Sequence, residues 1–137
     1  MLGKTTGFTL IELMVVIVVI GILAAIAIPN FITMQDRARE GAVKGNMHTV
    51  QLAIEDFAVR NEGTYPLAAD DATIQANLQG GAYPENPFTN VPCTLNWAAV
   101  PATSGDLGMS PAATRSTYYL RGFGKTALFN LTLSNGS

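Results

Sequence analysis

From Leu13 to Ile28 the chain reads LMVVIVVIGILAAIAI, with no charged or strongly polar side chain anywhere in the tract. A helix that is apolar all the way round has to meet lipid or other apolar helices, because one face of a small domain cannot cover its circumference. Counted from Phe8 to Ile28 the segment is 21 residues, close to the ~20 needed to span a bilayer core as a helix. A secretory leader has a shorter apolar run, about 7–15 residues, ending at a small-residue cleavage site. Lys4 and the initiator amine precede the tract and the rest of the chain follows it. That order predicts a cytoplasmic amino end, with the bulk of the chain across the inner membrane.

Glu12 does not belong in a plain anchor. Insertion scales put a carboxylate at the centre of a membrane helix at about +2.5 kcal/mol or worse. Two readings stay open at this point. Glu12 can lie near enough to the interface to stay wet, or it can be satisfied by a partner cation in an assembled state. A free α-amine on a neighbouring chain would serve, and one exposed at Phe8 by cleavage after Gly7 would have the reach. A single chain, on this reading, has no good use for the charge.

The run Gly7-Phe8-Thr9-Leu10-Ile11-Glu12, with the apolar tract and Pro29 directly behind it, closely resembles the leader junction of type IV pilins and pseudopilins. The detailed likeness covers roughly the first 35 residues. The resemblance implies that residues 1–7 are a leader, cut between Gly7 and Phe8 by a prepilin peptidase that also methylates the new Phe8 amine. It implies that Glu12 pairs with the Phe8 amine of an adjacent subunit during assembly. A pilus assembly platform with an ATPase motor would then draw the chain from the inner membrane into a helical homo-oligomer. The tract would thus be a membrane anchor first and a filament core afterwards. Small residues Gly21, Ala24, Ala25 and Ala27 would let like helices approach closely. A buried ion pair adds little net stability but specifies register well.

Beyond the tract, Pro29 removes a helical hydrogen bond and disfavours helical geometry at Ile28. With Gly21 it marks a place for a kink or local melting. Helical patterning then resumes. Val43, Met47, Val50, Ile54 and Phe57 fall at spacings of 4, 3, 4 and 3, an apolar stripe on one helix face. Gly41 and Gly45 weaken this half by about 1 kcal/mol each relative to Ala, so it needs tertiary support. Asn61, Gly63 and Pro66 supply a stop. The expected organisation is a transmembrane or filament-core helix over 8–29, an amphipathic half over 30–62 and a globular head over 63–137.

In the head, a short helix is expected over Asp71–Gln79, with Asp70 as N-cap and Gly80-Gly81 as exit. Tyr83 to Pro92 contains three prolines and is no central strand. Strands are expected over Cys93–Val100, Ser116–Phe123 and Ala127–Leu133, the last two joined through Gly122-Phe123-Gly124-Lys125. In the last strand Phe129, Leu131 and Leu133 alternate with Leu128, Asn130 and Thr132. Pro101 to Arg115 reads as a long exposed loop. The fold class is therefore α+β, a long amino-terminal helix whose amphipathic half packs on a small antiparallel sheet. In the family that this chain resembles, the layout is the pilin fold. Two features depart from it: Cys93 is the lone cysteine, so the family's carboxy-terminal disulfide cannot form. The calcium loop of many pseudopilins is also poorly matched, with only Asp106 in the long loop.

Little else carries chemistry. His48 is the single histidine, so no metal set and no hydrolytic triad can be assembled, and neither a metal nor a cofactor is expected. Gly122 to Thr126 lacks the spacing of a phosphate-binding loop. The eight Lys and Arg are scattered in a chain of net charge −2, and no basic patch argues for nucleic acid. The Asn130 and Asn135 sequons match by pattern only. The expectation is a non-enzymatic structural subunit, of the major-pilin type, in a type IV pilus filament at the cell surface. A pseudopilin of a type II secretion system is the alternative, favoured by the Glu85-Asn86-Pro87-Phe88 segment and the short head. A single-pass anchored binding module is more remote. Adhesion, motility, DNA uptake and electron transport are equally compatible with these residues.

Overall fold

The computed structural model describes residues 7–97 and 99–135, which divide into two compact units, Met1–Asp36 and Arg37–Ser137. Helix α1, Leu10–Arg60, contributes to both. The leader expected over 1–7 lies outside the described residues except for Gly7, as does the end of the Asn135 sequon.

In the first unit, α1 carries its apolar residues on every side. Val15 to Ile20 is a β-branched run, which in water would favour a strand. Helix is nonetheless the form that satisfies each backbone group within the segment, as a hydrocarbon surrounding demands. Every large apolar side chain from Phe8 to Met34 is exposed, between 45% and 77%. Length and composition suffice for this helix to cross a membrane. The helix runs through Gly21 and Pro29 without interruption. Proline costs the bond to the carbonyl of Ala25, while Thr33 Oγ1 donates to the Pro29 carbonyl at 3.0 Å.

In the second unit the stripe becomes core. Val43, Met47, Val50 and Ile54 are fully buried and Phe57 nearly so, joined by Ala53 and Ala58. Burying a side chain of the Val, Ile, Met or Phe class contributes about 1.5–3 kcal/mol, which outweighs the Gly41 and Gly45 deficit. The helix stops in a Schellman arrangement: the Gly63 amide bonds the Ala58 carbonyl at 2.9 Å, with Glu62 left-handed at φ 56. Asn61 Nδ2 takes the Phe57 carbonyl at 2.8 Å.

A 3-10 turn, Ala68–Asp70, leads into α2, Asp71–Asn77. Asp70 occupies the N-cap position but does not cap α2 with its side chain. Its carboxylate instead accepts from the Leu67 amide at 2.9 Å and from Arg115 at 2.9 Å. The preceding turn therefore competes for the same oxygen.

The sheet has four strands in chain order, β1 Leu95–Trp97, β2 Leu107–Pro111, β3 Tyr118–Phe123 and β4 Leu128–Ser134. This corrects the expected three-stranded antiparallel sheet. The pairs β2–β3 and β3–β4 are antiparallel, but β1 runs parallel to β2. The first strand is also shorter than the expected Cys93–Val100, within which Ala98 lies outside the described residues. The supposed long loop holds β2, whose two inward apolar residues, Leu107 and Met109 on either side of Gly108, make too brief a pattern to stand out. A parallel neighbour requires the chain to cross back over the sheet. It does so against Gly108, where a Cβ would overlap Pro101 and come within 2.5 Å of the Ala99 carbonyl.

On the inner face of the sheet, Leu107, Met109, Tyr118 and Leu120 are buried, with Phe129, Leu131 and Leu133 of β4 packed at the margin. Leu128, Asn130 and Thr132 face outward. Gly122 lets β3 close on α1: a Cβ there would sit 2.7 Å from Met47 Sδ.

Candidate functional site

Gly7, Phe8 and Thr9 precede the first helical residue, and Phe8 is 77% exposed. Thr9 is the N-cap of α1 and Glu12 is its third helical residue. The Glu12 amide donates to Thr9 Oγ1 at 3.3 Å. In return Glu12 Oε2 accepts from the Thr9 amide at 2.8 Å and from the Thr9 hydroxyl at 2.7 Å. This is a capping box, in which the two residues satisfy each other's otherwise orphaned donors. The view that a single chain has no use for Glu12 is thereby corrected. Its signal, Thr-x-x-Glu just before an apolar run, stands in the sequence at Thr9 to Glu12.

Phe8, Ile11, Val15 and Val16 line an open apolar groove that includes Glu12. A second groove, lined by Ile11, Met14, Val15, Val18 and Val19, has no polar component. The amino-terminal helix therefore combines one carboxylate with a continuous greasy surface. It can pack against lipid or a like helix while offering a single charge for pairing.

The residues singled out fall in two separate places. Gly7, Phe8, Glu12, Gly21 and Pro29 belong to the first unit. Val43, Met47, Val50, Ile54 and Phe57 build the core of the second and hold the sheet. Three polar centres of that second unit were missed. Glu55 receives the hydroxyls of Tyr118 and Tyr65. Asp71 Oδ1 accepts from Tyr83 at 2.7 Å and from Trp97 Nε1 at 2.8 Å. Asn86, 1% exposed, donates to the Ser104 carbonyl and accepts from the Phe88 amide. Each ties the head together, and Asp71 also borders an open pocket lined by Tyr83, Cys93 and Leu95.

His48 is exposed and pairs with Gln51 at 3.3 Å. Asp106 Oδ1 accepts from the Thr94 amide at 3.1 Å, so it serves the loop. Among the described residues no three His, Cys, Asp or Glu are grouped as a metal site would need.

An apolar amino-terminal helix long enough to cross a membrane, followed by a small α+β unit, defines a class of proteins built around one such helix. A family model described as the prokaryotic N-terminal methylation motif matches residues 3–28. The type IV narrow pilus major component PilA5 of Thermus thermophilus is 31% identical over 131 residues, covering 96% of this chain and 99% of that protein. With that whole-length likeness, the chain belongs to the type IV pilin family. The type IV major pilin PilA of Myxococcus xanthus is 52% identical over 54 residues, 39% of this chain but 24% of that protein. Type II secretion system core protein G of Pseudomonas aeruginosa is 39% identical over 58 residues, 42% of this chain and 41% of that protein. No solved structure is a significant match.

Proposed function

We propose that this chain is a structural, non-enzymatic subunit of a type IV pilus filament. The observation that carries the reading is the exposed apolar half of α1 with Glu12 at its mouth. In water that surface would be an aggregation liability; in a membrane, and then in a bundle of like helices, it is the working surface. Likeness along its whole length to a major pilus component supports it.

On this reading residues 1–7 are removed between Gly7 and Phe8, and Phe8 is N-methylated by the prepilin peptidase. The chain waits in the inner membrane with its amino end cytoplasmic. Segment 8–29 anchors it, 30–62 carries the head at 63–137, and an assembly platform with its ATPase motor moves it into a surface filament. Glu12 pairs with the Phe8 amine of the adjoining subunit, and local melting at Gly21 and Pro29 accommodates the helix in the fibre. A second reading, a type II secretion pseudopilin, is favoured by the likeness to core protein G.

Mass spectrometry of fibres sheared from cells, with electron microscopy, tests the proposal. Methyl-Phe at Phe8 in long surface filaments supports it. Finding the chain only within the envelope favours the secretion reading, and an uncleaved amino end overturns both. Glu12→Ala is expected to leave membrane insertion intact and to abolish most fibre.

A further inference from the structure

Thr9 uses both of its donors on one oxygen of Glu12. Its amide and its hydroxyl converge on Oε2 at 2.8 and 2.7 Å. Glu12 Oε1 has no hydrogen-bond partner among the described residues, and the carboxylate borders the groove lined by Phe8, Ile11, Val15 and Val16. A free glutamate side chain has three rotatable bonds, and fixing it on assembly costs about 1.5–2 kcal/mol of rotamer entropy. Two charge-assisted bonds to Oε2 set the rotamer in advance. They leave the second oxygen, with its lone pairs, available to a cation entering the groove.

We infer that Thr9 is a positioning residue for assembly: it holds Glu12 in the capping box so that Oε1 is presented to the ammonium group of a neighbouring copy. The inference rests on the proposed pairing of Glu12 with that amine. It also adds something that reading lacks. The same carboxylate caps its own helix through Oε2 and pairs between chains through Oε1, so neither bond has to be broken to make the other.

A mere helix cap and a positioning residue respond differently to substitution. Thr9→Ser keeps an oxygen that both accepts from the Glu12 amide and donates to its carboxylate. Thr9→Val loses both. Thr9→Asp is a good N-cap, yet its carboxylate has no proton to donate at neutral pH and repels Glu12. These three variants and Glu12→Ala are compared as full-length chains for membrane insertion and for sheared fibre yield, beside the wild type. The expected result is normal insertion throughout, wild-type fibre for Thr9→Ser, and at least about tenfold less fibre for Thr9→Val and Thr9→Asp. One decade corresponds to about 1.4 kcal/mol of lost assembly free energy. Normal fibre from Thr9→Asp would show that Thr9 only caps the helix and would overturn the inference, as would normal fibre from Thr9→Val. Loss of fibre in Glu12→Ala alongside normal Thr9 variants overturns the inference and leaves the pairing intact. Normal fibre in Glu12→Ala removes the pairing itself.

Discussion

The Tyr118 hydroxyl donates to Glu55 Oε1 across 2.7 Å, joining β3 to α1 in the interior of the head. Tyr65 occupies the other oxygen at 3.1 Å, and the two rings lie 4.8 Å apart at 52°. One helical carboxylate thus pins both the strand and the loop that follows the helix. Hydrogen bonds to charged groups are worth about 1.5–3 kcal/mol, so Tyr118→Phe should lower stability by about 1–2 kcal/mol. Glu55→Leu should cost more, because it leaves the buried Tyr118 hydroxyl without its acceptor. Denaturant melts of the detergent-solubilised chain, followed by near-ultraviolet circular dichroism, measure both. Equal stability of wild type and Tyr118→Phe would mean that the bond adds nothing.

The same pair sets an alkaline limit. Burial, and after it the Glu55 carboxylate, raises both Tyr118 and Tyr65 above the ordinary phenol value of 10.0. A raised folded value contributes stability that is complete below the unfolded value and fades as pH climbs toward the folded one. The head should therefore hold its tyrosine contribution up to about pH 10 and lose it above. Thermal melts between about pH 8 and pH 12 should fall steeply in the upper half of the range for wild type, and less steeply for Tyr118→Phe.

How far this could be read without coordinates depended on whether a contact was periodic. The stripe Val43 to Phe57 repeats over four turns, and repetition is what a linear reading detects. The alternation of Phe129, Leu131 and Leu133 was legible for the same reason. β2 was not, since its only inward apolar residues are Leu107 and Met109, and its place beside β1 is fixed by a crossover at Gly108. The role of Asn86 was hidden although its segment was conspicuous, because the Ser104 carbonyl that it binds lies in another loop. Glu12 stands out as an exception to an apolar pattern, whereas Thr9 is legible only from the helix end, as the first residue of Thr-x-x-Glu.

Cys93 shows how burial decides reactivity. The thiol is 3% exposed, and burial, with the Asp106 carboxylate adding to it, pushes its pKa up to about 11. The thiolate is the reacting species, so both accessibility and ionisation suppress it at neutral pH. Iodoacetamide should label the native chain at pH 8 at least about 100-fold more slowly than the unfolded chain. Native labelling at the unfolded rate would contradict the packing described for Cys93.

The end of α1 makes a prediction with opposite signs at adjacent positions. Glu62 takes the left-handed conformation, φ 56, that closes the Schellman turn, a position where glycine is the usual residue. Its side chain is exposed and makes no hydrogen bond or ion pair among the described residues, so removing it forfeits no contact. An L-residue pays about 1–2 kcal/mol for that backbone geometry, and glycine returns part of the gain through a freer unfolded chain. Glu62→Gly should therefore stabilise the head by about 0.5 kcal/mol. Gly63 is also left-handed at φ 79, with open space around it, so Gly63→Ala meets strain but no collision. That change should destabilise by about 1 kcal/mol. Measured together by denaturant melts, the two variants separate backbone geometry from side-chain contact. Shifts of the same sign would mean that the helix does not end in this turn.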